Sequence, residues 1–519
     1  MPVNTKSRLP LFVILTIFIG LKLPYLHYAY YWDESWPYAV AIKAMYHHGV
    51  SLMPTAIDSE LSRGHPLFFH AIAATWMNIF GDSHISMHSF ALFISVVFLI
   101  AIYETALRMF DQRVAVLALI LVIVQEMFFI QSSLVLFEML VAFLCFSSLV
   151  FYVREKYFLT ALCLTMLFYT KESGLVAGIV LGIDAFFNFL NKNAPLKLRI
   201  YKLVSVGVPC LFIGVFFVMQ KHLRGWYIFP LYSDCIKHSF TDFWYLFRIG
   251  CVKTVFIDQL RFCYFMLLVL LAVVAAVRQR KLKPLTILLP AICIYYLIDD
   301  TRAGRLLPGI PFFIVFILSV IWLVYSYPAR EYYSDRQRKL IRINGWFVIC
   351  FLCFSSLNFF TPRYMLAAII PTLFISAVFM NTLIKHAYVY VTVLIIILSI
   401  GGYAYMLSDA WGDCEHGIFD GLKVQQGVAD YFEKNVPRDQ YIGALSMEGQ
   451  HLSNPATGFL HSDRAFTNVS WDINANTHYA IFDNIENDTR YAQIKNDTCF
   501  YPAKRIEKGN VWAEIYKRK

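Results

Sequence analysis

Charged residues are scarce in this sequence. Asp, Glu, Lys and Arg make up 15% of 519 residues, against about 25% in an ordinary soluble domain. That scarcity excludes a string of soluble domains, and a 58% hydrophobic content excludes a disordered chain. Glycine and proline, at 24 and 19 residues, are too few for a collagen-like composition. Cysteine is sparse as well: 11 residues, many within apolar runs (Cys145, Cys163, Cys210, Cys350 and Cys353), so a small disulfide-stapled scaffold is excluded. The single CxxC, Cys350 to Cys353, lies in an apolar run with no second pair to complete a zinc site. Cys235 with Cys251, and Cys414 with Cys499, stand in polar segments, where each pair could form a disulfide if exposed to an oxidising compartment. Acidic residues fall short of basic ones, 35 against 45. The excess cations sit mostly in short segments between apolar runs, where membrane topology accounts for them. Nucleic acid is not expected as a partner.

What the chain does have is long apolar stretches, with a mean hydropathy of +0.56. A membrane-crossing helix needs about 20 apolar residues. The first candidate is Leu9 to Leu23, read as an uncleaved span because no small-residue cleavage site follows it. Others are Ser89–Leu107, Val114–Ile130, Leu134–Val153, Phe158–Thr170, Gly174–Leu190, Leu203–Met219, Phe262–Val277, Pro284–Ile298, Leu306–Tyr325, Gly345–Phe360, Met365–Leu383 and Tyr388–Met406. About 13 spans are therefore predicted. With the N-terminus in the cytoplasm, every cytoplasmic turn is basic, from Arg108/Arg113 through Arg278–Lys283 to Lys385, and the short outer turns are poorer in cations. This alternation predicts residues 1–406 as a transmembrane domain with outer loops at 25–88 and 220–261. Residues 407–519 are predicted as a soluble extracytoplasmic α/β domain, with a helix at Val424–Asn435. Its strands are read at Tyr441–Leu445, Tyr479–Phe482, Phe500–Ile506 and Val511–Tyr516. In the first outer loop, Ser35–His48 and Pro66–Phe80 read as helices, the second lying in the interface.

Several ionisable residues stand out on the predicted outer side. Asp33 and Glu34 follow Tyr30-Tyr31-Trp32. Read plainly, this is an aromatic belt and a solvated acidic turn; read chemically, it is a general base or metal ligand where a membrane-borne substrate meets water. Arg63 and His65 flank Gly64 before Pro66, as anion contacts or as a plain helix start. Glu138 is nearly alone in apolar sequence, a costly position unless it faces a cavity or a partner. Lys171 breaks the basic-inside pattern, as do Arg305 and Arg363 beside Tyr364. Together they form a cationic rim suited to a phosphate, or to a transporter vestibule.

The order of these motifs is the stronger signal. Asp33-Glu34 is followed by Gly64-His65-Pro66, Arg113-Val114-Ala115, Glu138-Met139-Leu140, Thr170-Lys171-Glu172-Ser173-Gly174 and Pro362-Arg363-Tyr364. The series resembles the integral-membrane glycosyltransferases of GT-C fold, in particular the protein mannosyltransferases and lipid A aminoarabinose transferases. The likeness is best from Leu9 to about Leu190. It departs from the family at Leu67, where a second proline is common, and at Phe137, which replaces a proline before the acid. The resemblance implies a polyprenyl-phosphate-linked sugar as donor and a lipid, protein or glycan hydroxyl as acceptor, with transfer on the extracytoplasmic face of a bacterial inner membrane. It implies Asp33 as the catalytic carboxylate with Glu34 assisting, and Glu138 as the second acidic site. Arg63, His65, Lys171, Arg305, Arg363 and Tyr364 become donor phosphate or sugar contacts, and no metal or other cofactor is expected. The rival class is a transporter or flippase of lipid-linked sugars, against which stands the lack of a half-to-half repeat. A polymer ligase is a third class, which a dominant late outer loop would mark.

Overall fold

The computed structural model describes residues 8–193, 195–233, 235–279, 283–298, 306–327, 332–408, 410–486 and 488–519. Arg305, with the rest of the turn at 299–305, lies outside the described residues, as do the basic positions Arg280, Lys281 and Arg330.

Each predicted span is helical. The apolar runs become α1 (Leu9–Lys22), α4 (His84–Met109), α5 (Gln112–Ile123), α6 (Phe137–Val153), α7 (Tyr157–Phe168), α8 (Leu175–Leu190) and α9 (Leu196–Arg224). Beyond these come α10 (Arg261–Gln279), α11 (Leu288–Ile298), α12 (Leu306–Ser326), α13 (Asp335–Ser355), α14 (Leu366–Leu383) and α15 (Ala387–Leu407). Residues 25–88, predicted as the first outer loop, add α2 (Tyr38–His48) and α3 (Phe68–Phe80). Among the described residues, six helices are long and apolar enough to cross a membrane: α4, α8, α9, α10, α14 and α15. Polar caps fix several of the starts. Ser83 accepts from the Ser86 N–H, Asp111 from Val114, and Ser334 forms a reciprocal capping box with Gln337, each satisfying an amide with no partner inside its helix.

Two spans differ from the periodicity. The run Val114–Ile130 is not one helix: α5 stops at Ile123 and a short helix resumes at Glu126–Gln131. Gln125 and Glu126 are both buried there. The Gln125 amide turns back to the Leu121 carbonyl at 2.8 Å, and Glu126 accepts the His416 N–H at 2.5 Å. Polar side chains in an apolar run thus break the helix to find partners. Helix α7 is only 12 residues long, about 18 Å, and lies against α6 and α9. Helix α9 is longer than its apolar run, at 29 residues.

After α15 the chain forms a mixed five-stranded sheet, β1 (Tyr441–Gly443), β2 (Asn468–Ser470), β3 (Tyr479–Asp483), β4 (Phe500–Lys508) and β5 (Val511–Arg518), in the order β2-β1-β3-β5-β4. β1 pairs in parallel with β2 and β3, and β5 is antiparallel to β3 and β4. The helix predicted at Val424–Asn435 begins earlier, as α16 (Ile418–Asn435). Its Val424, Val428 and Phe432 are buried against the sheet, where the Phe432 ring meets Tyr479 edge-on at 5.6 Å. A further helix, α17 (Ser446–Ser453), follows β1. A tight turn at Lys508-Gly509-Asn510 joins β4 to β5, with Gly509 at φ +55°, a conformation open to glycine without strain.

The sheet region sits directly on the first outer loop. The Tyr30 N–H donates to the Thr457 carbonyl at 3.1 Å, and the Tyr31 hydroxyl donates to the Trp411 carbonyl at 2.5 Å. All cysteines among the described residues are free, including Cys235, Cys251, Cys414 and Cys499. Cys251 accepts a hydrogen bond from Ser356 at 3.4 Å, Cys414 is buried and Cys499 is exposed.

Candidate functional site

The site begins with a forced turn. Trp32 has φ +51°, a left-handed conformation that costs a bulky residue roughly 1–2 kcal/mol. The turn at Trp32–Glu34 is held from beneath by Glu34, which is buried. One Glu34 oxygen accepts the Tyr31 N–H at 3.2 Å, and the other accepts the Val135 N–H at 2.5 Å and lies 3.3 Å from His88 Nε2. Glu34 therefore ties the turn to the segment that leads into α6 and Glu138. Asp33, one residue before, points the other way. Expected as an assistant to Asp33, Glu34 is placed behind the site rather than in it.

Asp33 meets Arg363, whose guanidinium is the hub of the site. Nη2 donates to Asp33, Nη1 donates to Asp413, and Nε lies 3.6 Å from Glu138 Oε1. Glu138 also accepts from Lys171 at 3.0 Å, and the Lys171 ammonium stands 3.7 Å from the centre of the Tyr364 ring. Arg363, Glu138 and Lys171 are all buried. A buried charge is costly unless paired; here three carboxylates and two cations pair with one another, while Glu138 Oε2 and Arg363 Nε make no hydrogen bond.

Beside this hub lies a second pair. His65 Nδ1 is 2.8 Å from Glu172 Oε2, with Phe137 edge-on to the imidazole at 5.4 Å and Tyr232 tilted at 5.2 Å. Arg63 and Gly64 approach in left-handed backbone, at φ +48° and +73°. A Cβ on Gly64 would stand 2.8 Å from Trp226, so only glycine fits where the first outer loop packs on the 220–261 segment. Arg63 is half-buried and bonds Tyr232. It forms no salt bridge among the described residues, so it is the cation of this group left for an outside anion.

Two cavities meet here. One, of about 540 Å³, is walled by Phe217, Ile228, Phe229, Phe351, Phe354 and Phe359, and ends on Arg63, His65, Glu138 and Lys171. The other, of about 550 Å³, holds Asp33, Arg363 and Asp413 between Trp32, Tyr38 and Trp411. Arg63, Tyr232 and Tyr364 line both. The polar end of the slot carries Arg63 and Lys171 beside Glu138 and Glu172, and the Arg63 guanidinium there suits an anionic headgroup on a hydrocarbon chain, while an aromatic chamber with a carboxylate suits a hydroxyl compound.

The structure thus brings together Asp33, Arg63, His65, Glu138, Lys171, Arg363 and Tyr364, and sets Glu34 behind them. Arg305 lies outside the described residues. Sequence reading missed Asp413. It stands in Trp411-Gly412-Asp413-Cys414-Glu415, a tail segment where one more acid is unremarkable; the usable signal was an aromatic and two acids so soon after a span. No group of three or more His, Cys, Asp or Glu side chains among the described residues is arranged to hold a metal ion. The trio Asp33, Glu34 and Glu138, a possible oxygen cage on paper, is divided: Glu34 faces away and Arg363 stands between the other two.

Residues 64–217 match the family model described as dolichyl-phosphate-mannose–protein mannosyltransferase. The matched segment includes Gly64-His65-Pro66, Glu138-Met139-Leu140 and Thr170-Lys171-Glu172-Ser173-Gly174. Among curated proteins, none matches the chain. Among solved structures, the chain is similar to ArnT from Cupriavidus metallidurans bound to undecaprenyl phosphate, with 13% identity over 97% of each chain and a TM-score of 0.44. It is similar to the oligosaccharyltransferase AglB from Archaeoglobus fulgidus, with 12% identity over 94% of this chain and 70% of that one, at a TM-score of 0.47. The Pmt1–Pmt2 protein O-mannosyltransferase complex of S. cerevisiae shares 16% identity over 43% of this chain and 34% of the yeast chain, at a TM-score of 0.35.

Proposed function

We propose, from the family segment at 64–217 and the paired cavities, that this chain is a membrane glycosyltransferase. It moves a sugar from a polyprenyl-phosphate carrier to a hydroxyl acceptor. The observation that carries the reading is the apolar cavity ending on Arg63, His65 and Lys171, which opens at Tyr364 toward Asp33. A phosphate-linked sugar whose chain lies along Phe217, Phe351 and Phe354 has its phosphate at the cations and its anomeric carbon near the shared wall.

The chemistry follows from that placement. The acceptor hydroxyl lies in the aromatic chamber and gives its proton to Asp33 as its oxygen attacks the anomeric carbon. The bond from that carbon to the phosphate oxygen breaks, and its electron pair stays on the phosphate. Arg63 and Lys171 stabilise the charge that develops there. One displacement inverts the anomeric carbon, by the logic that governs inverting glycosidases. The protein contributes mainly by aligning two partners, an effect worth roughly 7–11 kcal/mol in favourable cases. Glu34 fixes the turn that aims Asp33. Orientation follows the basic turns, so the chamber opens on the extracytoplasmic side. Exposed Cys499 is then expected to react with a membrane-impermeant maleimide in intact cells, and labelling only after lysis overturns the orientation.

The test uses purified protein with undecaprenyl-phosphate-linked sugars and the envelope fractions that mass analysis shows to change when the gene is deleted. Release of undecaprenyl phosphate with glycosylation of an acceptor is the expected result. Asp33→Asn is expected to lower turnover by about 10²–10⁴. Near-normal turnover in that variant removes the base, and movement of intact lipid-sugar across vesicles without release makes the protein a transporter.

A further inference from the structure

The strap between α15 and α16 is tied into the membrane region far more firmly than a domain linker requires. The Trp411 carbonyl accepts from the Tyr31 hydroxyl at 2.5 Å. The Asp413 carbonyl accepts from Gln131 Nε2 at 2.7 Å, and the Cys414 carbonyl accepts from Gln259 Nε2 at 2.7 Å. The His416 N–H donates to Glu126 at 2.5 Å. Gln259 and Leu260 adopt left-handed backbone, at φ +53° and +58°, and Arg261 steadies the turn by donating to Gln259 Oε1 at 2.8 Å. Two glutamines, a glutamate and a tyrosine from three separate segments thus fix a stretch of six residues. What they deliver to the site is the Asp413 carboxylate, set on Arg363 Nη1 while Nη2 holds Asp33.

We infer that Asp413 is a positioning residue for the proposed transfer: it holds Arg363 so that Asp33 stays free enough to act as a base. The inference rests on the transferase reading and adds to it a role for the chain beyond the membrane domain. The argument is one of shared charge. A guanidinium offers five N–H donors and a single positive charge. Bound to Asp33 alone, Arg363 would direct that charge to the one carboxylate that must accept a proton, and an ion pair weakens a base. Asp413 and Glu138 divide the attraction. Around Asp33 the other facing groups are Arg63, Tyr38 and the Arg363 hub, with Tyr364 and Trp411 completing the chamber. Arg63 is cationic, so Asp413 and Glu138 are the anions that offset it. Glu138 is already committed to Lys171, which leaves Asp413 as the principal counterweight. Its exposure, 13% of the side chain, keeps it in the chamber and out of bulk solvent, where its charge has effect.

The prediction has a sign. Without the Asp413 charge, Arg363 turns wholly to Asp33, so the acidic limb of the rate profile moves to lower pH and the maximal rate falls by about tenfold. The experiment measures undecaprenyl phosphate released by the full-length protein in detergent, between about pH 3 and 8, for wild type, Asp413→Asn, Asp413→Glu and Gln131→Leu. The expected result is a downward-moved limb and lower kcat in Asp413→Asn, with the donor KM unchanged. Asp413→Glu is expected to restore most of the rate. Gln131→Leu loosens the strap without touching the carboxylate and is expected to move the limb part of the way, which keeps the test open should Asp413→Asn fail to accumulate. A loss of rate equal at all pH values, or a profile superimposable on wild type in both Asp413→Asn and Gln131→Leu, overturns the inference. Absence of release from the wild type is a different outcome, because it removes the transferase reading itself.

Discussion

Two clusters of carboxylates, one beneath the sheet region and one within it, solve opposite problems. Asp33, Glu138 and Asp413 surround Arg363, with Lys171 as second cation. Glu448, Asp483 and Glu486 have no lysine or arginine in salt-bridge contact among the described residues, and both Glu448 oxygens and both His451 ring nitrogens lack a hydrogen-bond partner. Burial, with Glu486 nearby, pushes the Glu448 carboxyl up to about 8. Burial and Glu448 push Asp483 to about 7, and burial with Asp483 brings Glu486 to about 7. Burial alone draws His451 down to about 3. The first cluster is built to keep charge in a dry place, and the second to do without it. Residue type is the same in both, so chemistry here is set by which partner the fold supplies.

The largest break in that contrast comes from removing the hub. Arg363→Met leaves three carboxylates around one remaining lysine, and is expected to cost about 3–5 kcal/mol. Thermal unfolding of the detergent-solubilised protein measures it, and an unchanged midpoint means the pairs do not carry the charge.

A middle-sized effect lies in the second cluster, and its sign depends on pH. A carboxyl whose pKa is raised on folding gives stability that is full below its ordinary value of about 4 and is lost progressively as pH climbs to the folded value, here about 7 to 8. Buried His451 acts in reverse, losing stability as pH falls from its ordinary value near 6.5 toward about 3. Three carboxyls outweigh one histidine, so these groups make the sheet region most stable at about pH 4 and less stable at neutral and alkaline pH. Glu448→Gln is expected to raise stability at pH 9 by a few kcal/mol and to leave it nearly unchanged at about pH 4. A midpoint at pH 9 equal to that of wild type would contradict the burial argument.

The smallest effect sharpens the comparison. Asp33→Asn, so damaging to turnover, is expected to change stability by no more than about 1 kcal/mol, because Asp413 and Glu138 keep Arg363 paired. A loss as large as that of Arg363→Met would make Asp33 a structural anchor.

Much of the fold was legible because lipid and core select apolar residues in runs that composition reveals. All the predicted spans are helical, and four of the five strands were readable from alternation. β2 was not: Asn468-Val469-Ser470 is three residues long, and its pairing with β1 comes from the neighbour rather than from its own propensity. The break at Gln125 was hidden for a similar reason, since its cause is the His416 amide, 290 positions away. At the site, Asp33, Glu138, Lys171 and Arg363 were visible as charges where charge is costly. Asp413 was invisible because a carboxylate in a polar tail costs nothing until its partner is known. Glu34 was visible as a charge but its direction was not, for it depends on the left-handed turn at Trp32, which no pattern of residue types announces.

The strap has a consequence for biogenesis. Ribosomes build from the N-terminus, so Asp33, Glu138, Lys171 and Arg363 are threaded into the bilayer before residue 413 emerges. Until that segment docks, the pocket lacks one wall and its arginine lacks one counter-ion. On the role proposed for Asp413, the nascent membrane portion would be inactive until the strap arrives.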